Sequence, residues 1–275
     1  MVGSRLALAV FVFAMTVPSL VNAQACHSPS ASEATSRGLR VGINAEAAGF
    51  HTRNYEGHYE GLRVSAQWSV PWASVYAALP GYRLLRNQAE FRGLGDVLVG
   101  TRVVALRMRA DTARLGVAFA ATAPTGNAEH ELGMGHFMLM PGLFANRTLG
   151  RLMVAGETHY SRALVSKDSH EASMSEHHHH HRAHAAGPRP LVDPMNRSEV
   201  SGALSASLAL LPAFRMRAGV YGALPIADED GASRAAARIG VGWTLPHLET
   251  MLEIHRAFVG DPFTQKLVLE IAVRP

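Results

Sequence analysis

The stretch GLGDVLVGTRVVALRMRADTARLGVAFAATAPTG, Gly93 to Gly126, alternates between two kinds of residue on both sides of a short polar turn. Val97, Val99, Thr101, Val103 and Ala105 stand against Leu98, Gly100, Arg102 and Val104. After Arg109-Ala110-Asp111-Thr112 the alternation resumes, with Leu115, Val117, Phe119 and Ala121 against Arg114, Gly116, Ala118 and Ala120. Period two belongs to the β-strand, and two such runs about a turn predict an antiparallel hairpin. One face is apolar throughout, while the other carries small residues and an arginine on each strand. A soluble sandwich would bury those arginines in its core; a barrel with a lipid-facing wall and a wet interior accepts both faces. Each run is about ten residues long, the length a tilted strand needs to cross a bilayer.

The same pattern recurs outward in both directions. Before the hairpin it covers Leu39 to Phe50, His58 to Val70 and Trp72 to Leu84; after it come Gly135 to Arg147, Arg151 to Leu164, Glu199 to Leu211, Phe214 to Leu224, Arg234 to Leu245, Leu248 to Val259 and Gln265 to Arg274. These runs predict an all-β chain, a closed antiparallel transmembrane β-barrel of about twelve strands of the outer-membrane type. The connections alternate in length. Those near Pro71, Ala110, Leu149, Pro212 and Pro246 are short, whereas His51 to Gly57, Leu85 to Gly93, Thr125 to Gly133, Val165 to Ser198 and Ile226 to Ser233 are long. Short periplasmic turns and long external loops are arranged in this way, and an even strand number closes the sheet without a free edge.

Composition agrees. The 275 residues include 25 glycines, 48% are hydrophobic and 17% are charged, and the mean hydropathy is +0.04, which excludes a disordered chain. Beyond the N-terminus no apolar run is long enough for a helical span. Residues 1–25 read as a secretory signal, with Arg5 as the basic region, Leu6 to Val17 as the apolar stretch, and a small-residue cleavage site at Val21-Asn22-Ala23 or Ala23-Gln24-Ala25. Residues 26–38 then form a leader, and 39–275 the barrel. Cys26, the only cysteine, rules out an intramolecular disulfide; it is read either as an acylation site or as an unpaired leader thiol. The net charge of +4 is spread along the chain rather than clustered, and export removes it from nucleic acid, which is not expected as a partner.

The facing pattern places Glu46, Arg63, Arg102, Arg114, Glu157, His159, Arg215, Arg217, Arg238, Glu249, Glu253, His255 and Glu270 on the lumen side, both signs interleaved. Such a lumen pairs its charges, and side chains crossing a modest bore narrow or close it.

Three motifs resemble a known family. Gly93-Leu94-Gly95-Asp96, Pro124-Thr125-Gly126, and Leu132-Gly133-Met134-Gly135 leading to Pro141-Gly142-Leu143 are similar to the outer-membrane barrel family named for the meta-pathway of phenol degradation. The resemblance implies a transporter-like barrel of a Gram-negative outer membrane that takes up aromatic or other hydrophobic small molecules. The implied partners are outer-membrane lipids, small solutes and the barrel-assembly machinery. The expected function is therefore a non-enzymatic channel for small solutes.

Two local signals suggest other functions. His170, His177, His178, His179, His180, His181 and His184 crowd the external loop 165–198, and imidazoles at that density bind Zn²⁺, Ni²⁺ or Cu²⁺ without a folded site. The alternative function is thus a metal-binding surface protein anchored by its barrel, although no cofactor is required for the channel. His159 and Ser161 form a His-x-Ser pair of the kind lipid-hydrolysing barrels use, but the alternation turns both into the lumen, so no catalytic residue is expected.

Overall fold

The computed structural model describes residues 37–51, 56–108, 112–166, 192, 195–226, 232–260 and 263–274. Alternating sequence becomes strand throughout: β1 (Gly38–His51), β2 (Glu56–Val70), β3 (Ala73–Arg86), β4 (Ala89–Leu94), β5 (Val97–Arg107), β6 (Ala113–Ala123), β7 (His136–Leu149), β8 (Leu152–Ser166), β9 (Ser198–Ala209), β10 (Phe214–Pro225), β11 (Arg234–Thr244), β12 (Leu248–Val259) and β13 (Phe263–Val273). Every pairing is antiparallel; each joins consecutive strands except β3 with β5, and β1 closes the sheet on β13 from Val41↔Val273 to Phe50↔Phe263.

Thirteen strands make twelve staves, because β4 and β5 are one strand interrupted at Gly95-Asp96. Both pair with β3: Gly81 stands opposite Leu94, and Ala78 opposite Leu98. Three steps along β3 (81 to 78) therefore match four along its partner (94 to 98), a one-residue bulge that bends the strand and re-aims the side chain at Asp96. This corrects one expected boundary. The stretch Leu85 to Gly93 is not a long loop but a continuation of the sheet, turned tightly at Asn87 and Gln88, both at positive φ.

The outward wall is apolar on every long stave. Val41 and Ile43, Leu62 and Val64, Val117 and Phe119, Leu204 and Leu208, Leu252 and Ile254, and Leu267, Leu269 and Ile271 are all exposed. An apolar surface of this extent requires lipid rather than water. Its ends are marked chemically. The exposed tryptophans Trp68, Trp72 and Trp243 all sit at the short-turn end, where an amphipathic ring suits the membrane interface. At the loop end, outward-facing Arg83 bonds Glu90 at 2.9 Å and Glu60 at 3.3 Å, and Arg92 also reaches Glu90. Such exposed ions belong above the hydrocarbon, and the bonds from Arg83 and Arg92 hold the Glu90 carboxyl down at about 2.

Candidate functional site

The inward faces of the staves do not line an open tube; their side chains bridge it. Arg102 on β5 reaches Glu157 on β8, three staves away, at 2.6 Å. Its guanidinium lies between the rings of Tyr76 and Phe144, 6.0 and 5.8 Å from their centroids, and the residue is 2% exposed. His159 Nε2 stands 4.0 Å from the same Glu157 oxygen. Farther round, Glu253 on β12 meets Arg217 at 3.5 Å, Arg238 at 3.9 Å and His255 at 3.3 Å, and the other ring nitrogen of His255 shares a 2.8 Å hydrogen bond with Tyr221. Lys266 faces Glu46 at 3.6 Å. Nearer the short turns, Arg40 joins Glu249 at 3.2 Å and Glu270 at 2.6 Å, and Arg215 and Arg274 also meet Glu249.

Nine of the lumen residues expected from the sequence are therefore drawn into shared ion pairs, Glu46, Arg102, Glu157, Arg215, Arg217, Arg238, Glu249, Glu253 and Glu270, and His255 is hydrogen-bonded to Glu253. Arg63 and Arg114 face inward as well, half-buried. Charges this far from water are retained only when each has an opposite partner. Arg102, Arg217, Glu253, His255 and Lys266 are all buried, so the belt narrows the bore at their level.

Above the belt, toward the long connections, the interior turns apolar. Phe50, Tyr59, Tyr82, Leu84, Tyr221, Ala236 and Phe263 form one cluster, with Tyr59 and Tyr82 edge to face at 6.3 Å. Two residues in that cluster come from connections rather than strands: Leu132, 1% exposed, and Val192. The β6–β7 connection thus folds into the mouth and seats Leu132 among the rings.

The re-aimed Asp96 holds that connection down. Its Oδ1 accepts the Gly126 N–H at 2.9 Å and its Oδ2 accepts the Met134 N–H at 2.7 Å. Thr125 Oγ1 donates to the Gly95 carbonyl at 3.0 Å and accepts the Val97 N–H at 2.9 Å. A Cβ added at Gly133 would lie 2.7 Å from both Gly126 Cα and Asp96 Oδ1, so only glycine permits this approach. Glu131, itself buried, pairs with Arg86, which lies over Phe91 at 5.1 Å; Phe91 in turn packs on His130 at 5.0 Å. The Gly-Leu-Gly-Asp, Pro-Thr-Gly and Leu-Gly-Met-Gly motifs, distant in sequence, are the three parts of one clasp.

His159 and Ser161 both point into the lumen, and Ser161 is fully buried. Neither imidazole nitrogen nor Ser161 Oγ has a hydrogen-bond partner among the described residues. The seven expected metal-binding histidines, His170, His177, His178, His179, His180, His181 and His184, lie outside the described residues, as do the signal segment and Cys26. Among the described residues, no group of three or more His, Cys, Asp or Glu is placed to hold a metal ion.

Several lumen charges escaped the sequence reading. Lys266 follows from stepping back by twos from Glu270, as Arg40 shares the face of Glu46. Glu199 is fully buried, and its Oε2 accepts bonds from Asn196 N, Asn196 Nδ2 and Arg234 Nη2, each at 2.8 Å; it ties the entrance of β9 to β11. That pairing skips a stave, so only the closed barrel reveals it.

No protein-family model matches the chain, and no curated protein matches it in sequence. Solved structures do match. The KdgM porin in complex with disordered oligogalacturonate superposes with a TM-score of 0.52 at 7% identity, over 86% of this chain and 99% of that one. The translocator domain of the autotransporter NalP from Neisseria meningitidis gives 0.50 at 13%, over 87% and 89%. The β domain of the Bordetella autotransporter BrkA gives 0.50 at 12%, over 86% and 100%. At such identities the likeness is one of fold, and that fold is the closed antiparallel barrel of outer-membrane proteins.

Proposed function

We propose that this chain is an outer-membrane channel for small, neutral apolar or aromatic solutes, built as the meta-pathway family it resembles, and closed in the state described. The observation that carries this reading is the division of the lumen. An aromatic chamber lies toward the long connections, occupied by the chain's own Leu132, above a belt of paired charges.

A solute that enters the chamber exchanges water for ring contacts, gaining about 25 cal/mol for each Å² of apolar surface buried. Its seat coincides with that of Leu132, so entry and withdrawal of the β6–β7 connection are coupled. Further passage requires the Arg102–Glu157 chord to part. An apolar solute cannot replace those partners, so the belt limits the rate and excludes free ions at rest. The inward placement of His159 and Ser161, away from membrane lipid, gives no support to lipid hydrolysis.

The test is uptake of a labelled neutral aromatic by cells that express the chain, against cells that lack it, with fractionation to show the protein in the outer membrane. Uptake above the barrel-free control is expected. Equal uptake with the protein correctly inserted, or recovery of the protein in the soluble periplasm, overturns the reading.

A further inference from the structure

We infer that the outer end of the lumen holds a soft monovalent cation, Cu(I) or Ag(I), between the thioethers of Met138, Met140 and Met195, with Met134 and His136 beside them. The sequence Met134-Gly135-His136-Phe137-Met138-Leu139-Met140 carries a sulfur or imidazole at every second position. In β7 the alternation turns His136, Met138 and Met140 inward, all buried. Met195 arrives from the segment before β9 and joins the same cluster, and Met134, anchored by its N–H on Asp96, packs against it. Four thioethers from two segments of chain therefore meet in one cluster, with His136 inward on the same strand face.

Same-face neighbours on a strand are about 6.6 Å apart, and the three rotatable bonds of methionine let adjacent thioethers turn toward a common ion. The chemistry of the surroundings selects which ion. The thioethers pack among Tyr76, Ala78, Leu98 and Ala120, with Thr122 opposite Met138. Thioethers are soft ligands that favour Cu(I), while Mg²⁺, Ca²⁺ and Mn²⁺ require oxygen. An apolar setting also penalises a divalent ion more than a monovalent one. The period-two spacing is the strand's own; what marks this patch is that Met195 and Met134 join Met138 and Met140 in one cluster. This site uses none of the histidines of the 165–198 loop and does not rest on the channel reading.

The experiment uses the purified full chain carrying Cys26→Ser, so that no thiol competes, in detergent with one equivalent of Ag⁺, a redox-stable probe, and repeats it with Cu⁺ under anaerobic reduction. X-ray absorption should show metal–sulfur scattering, which imidazoles cannot produce. Titration should give an affinity at least tenfold weaker in Met138→Leu/Met140→Leu, a near-isosteric pair. The His tract is the same in both proteins and cancels. Absence of sulfur scattering in the wild type overturns the inference, as does an unchanged affinity and sulfur signal in the double variant. If the double variant loses heat-modifiable migration, Met195→Leu, outside the strands, replaces it under the same two criteria.

Discussion

Asp96 accepts the backbone N–H of Met134 at 2.7 Å across 38 residues of chain, and so fixes the entrance of β7 to the bulge between β4 and β5. With the 2.9 Å bond from Gly126, one carboxylate holds both ends of the connection that carries Leu132. Hydrogen bonds to a charged acceptor contribute about 1.5–3 kcal/mol each. Asp96→Ala should therefore raise amide hydrogen exchange across 126–134 by at least about tenfold, since each 1.4 kcal/mol of local stability is a factor of ten. Single-channel recording should also show more frequent opening. Unchanged exchange would mean that Leu132 is held by its ring contacts and not by the clasp.

The Arg102–Glu157 chord predicts a pattern of non-additivity. Removing one member leaves the other buried and uncompensated, which costs about 3–5 kcal/mol in such settings. Arg102→Met and Glu157→Leu should each destabilise the barrel by that order, while the double variant should lie closer to the wild type than either single one. The measurement is urea unfolding followed by heat-modifiable migration. Additive losses would show that the two residues do not depend on each other.

Much of this was legible in the sequence because a β-wall writes its two faces into alternate positions. The twelve staves, the lipid side at Phe119 and Leu252, and the inward turn of Arg102 and Glu253 follow from period two alone. What period two cannot give is which inward residues meet. Arg102 and Glu157 lie three staves apart, and their pairing depends on stave order, tilt and closure together. Asp96 was legible as a strand-end residue, but its bonds to the two glycine-rich motifs depend on a bulge that no alternation announces. The hairpin through Asn87-Gln88 carries no apolar outward face for period two to mark, since Arg83, Glu90 and Arg92 are charged there.

Facing also makes a graded prediction. Phe119 is exposed on the lipid wall, so Phe119→Arg should cost about 2–4 kcal/mol near the midplane, and Leu252→Arg a similar amount, while Phe119→Leu should be nearly neutral. Ala118→Arg tests a different cause. Ala118 is buried inward against Phe144, beside Arg102, so an added arginine there meets steric crowding and like charge instead of lipid. Arg102→Met, which removes the like charge, should relieve part of the Ala118→Arg defect and none of the Phe119→Arg defect. Equal relief at the two positions would show that the assigned facing is wrong.

The last prediction separates two proposed metal chemistries by their response to protons. The imidazoles of His177 to His181, with His170 and His184, bind Zn²⁺ or Ni²⁺ only when neutral, and free imidazole takes up its proton near pH 6.5. Protonation competes directly with the metal, so binding by this tract should be strong above that pH and fall away below it. Thioethers carry no proton to lose and gain none in this range, so Ag⁺ held at Met138, Met140 and Met195 should survive at pH 5. Titrating the full chain with Ni²⁺ and with Ag⁺ at pH 7.5 and pH 5 should therefore give a large loss for Ni²⁺ and little change for Ag⁺. Deleting residues 169–187 should abolish the Ni²⁺ response and leave the sulfur-bound Ag⁺ in place. If acidification releases Ag⁺ in parallel with Ni²⁺, the silver was bound by imidazole, and the methionine site loses its support.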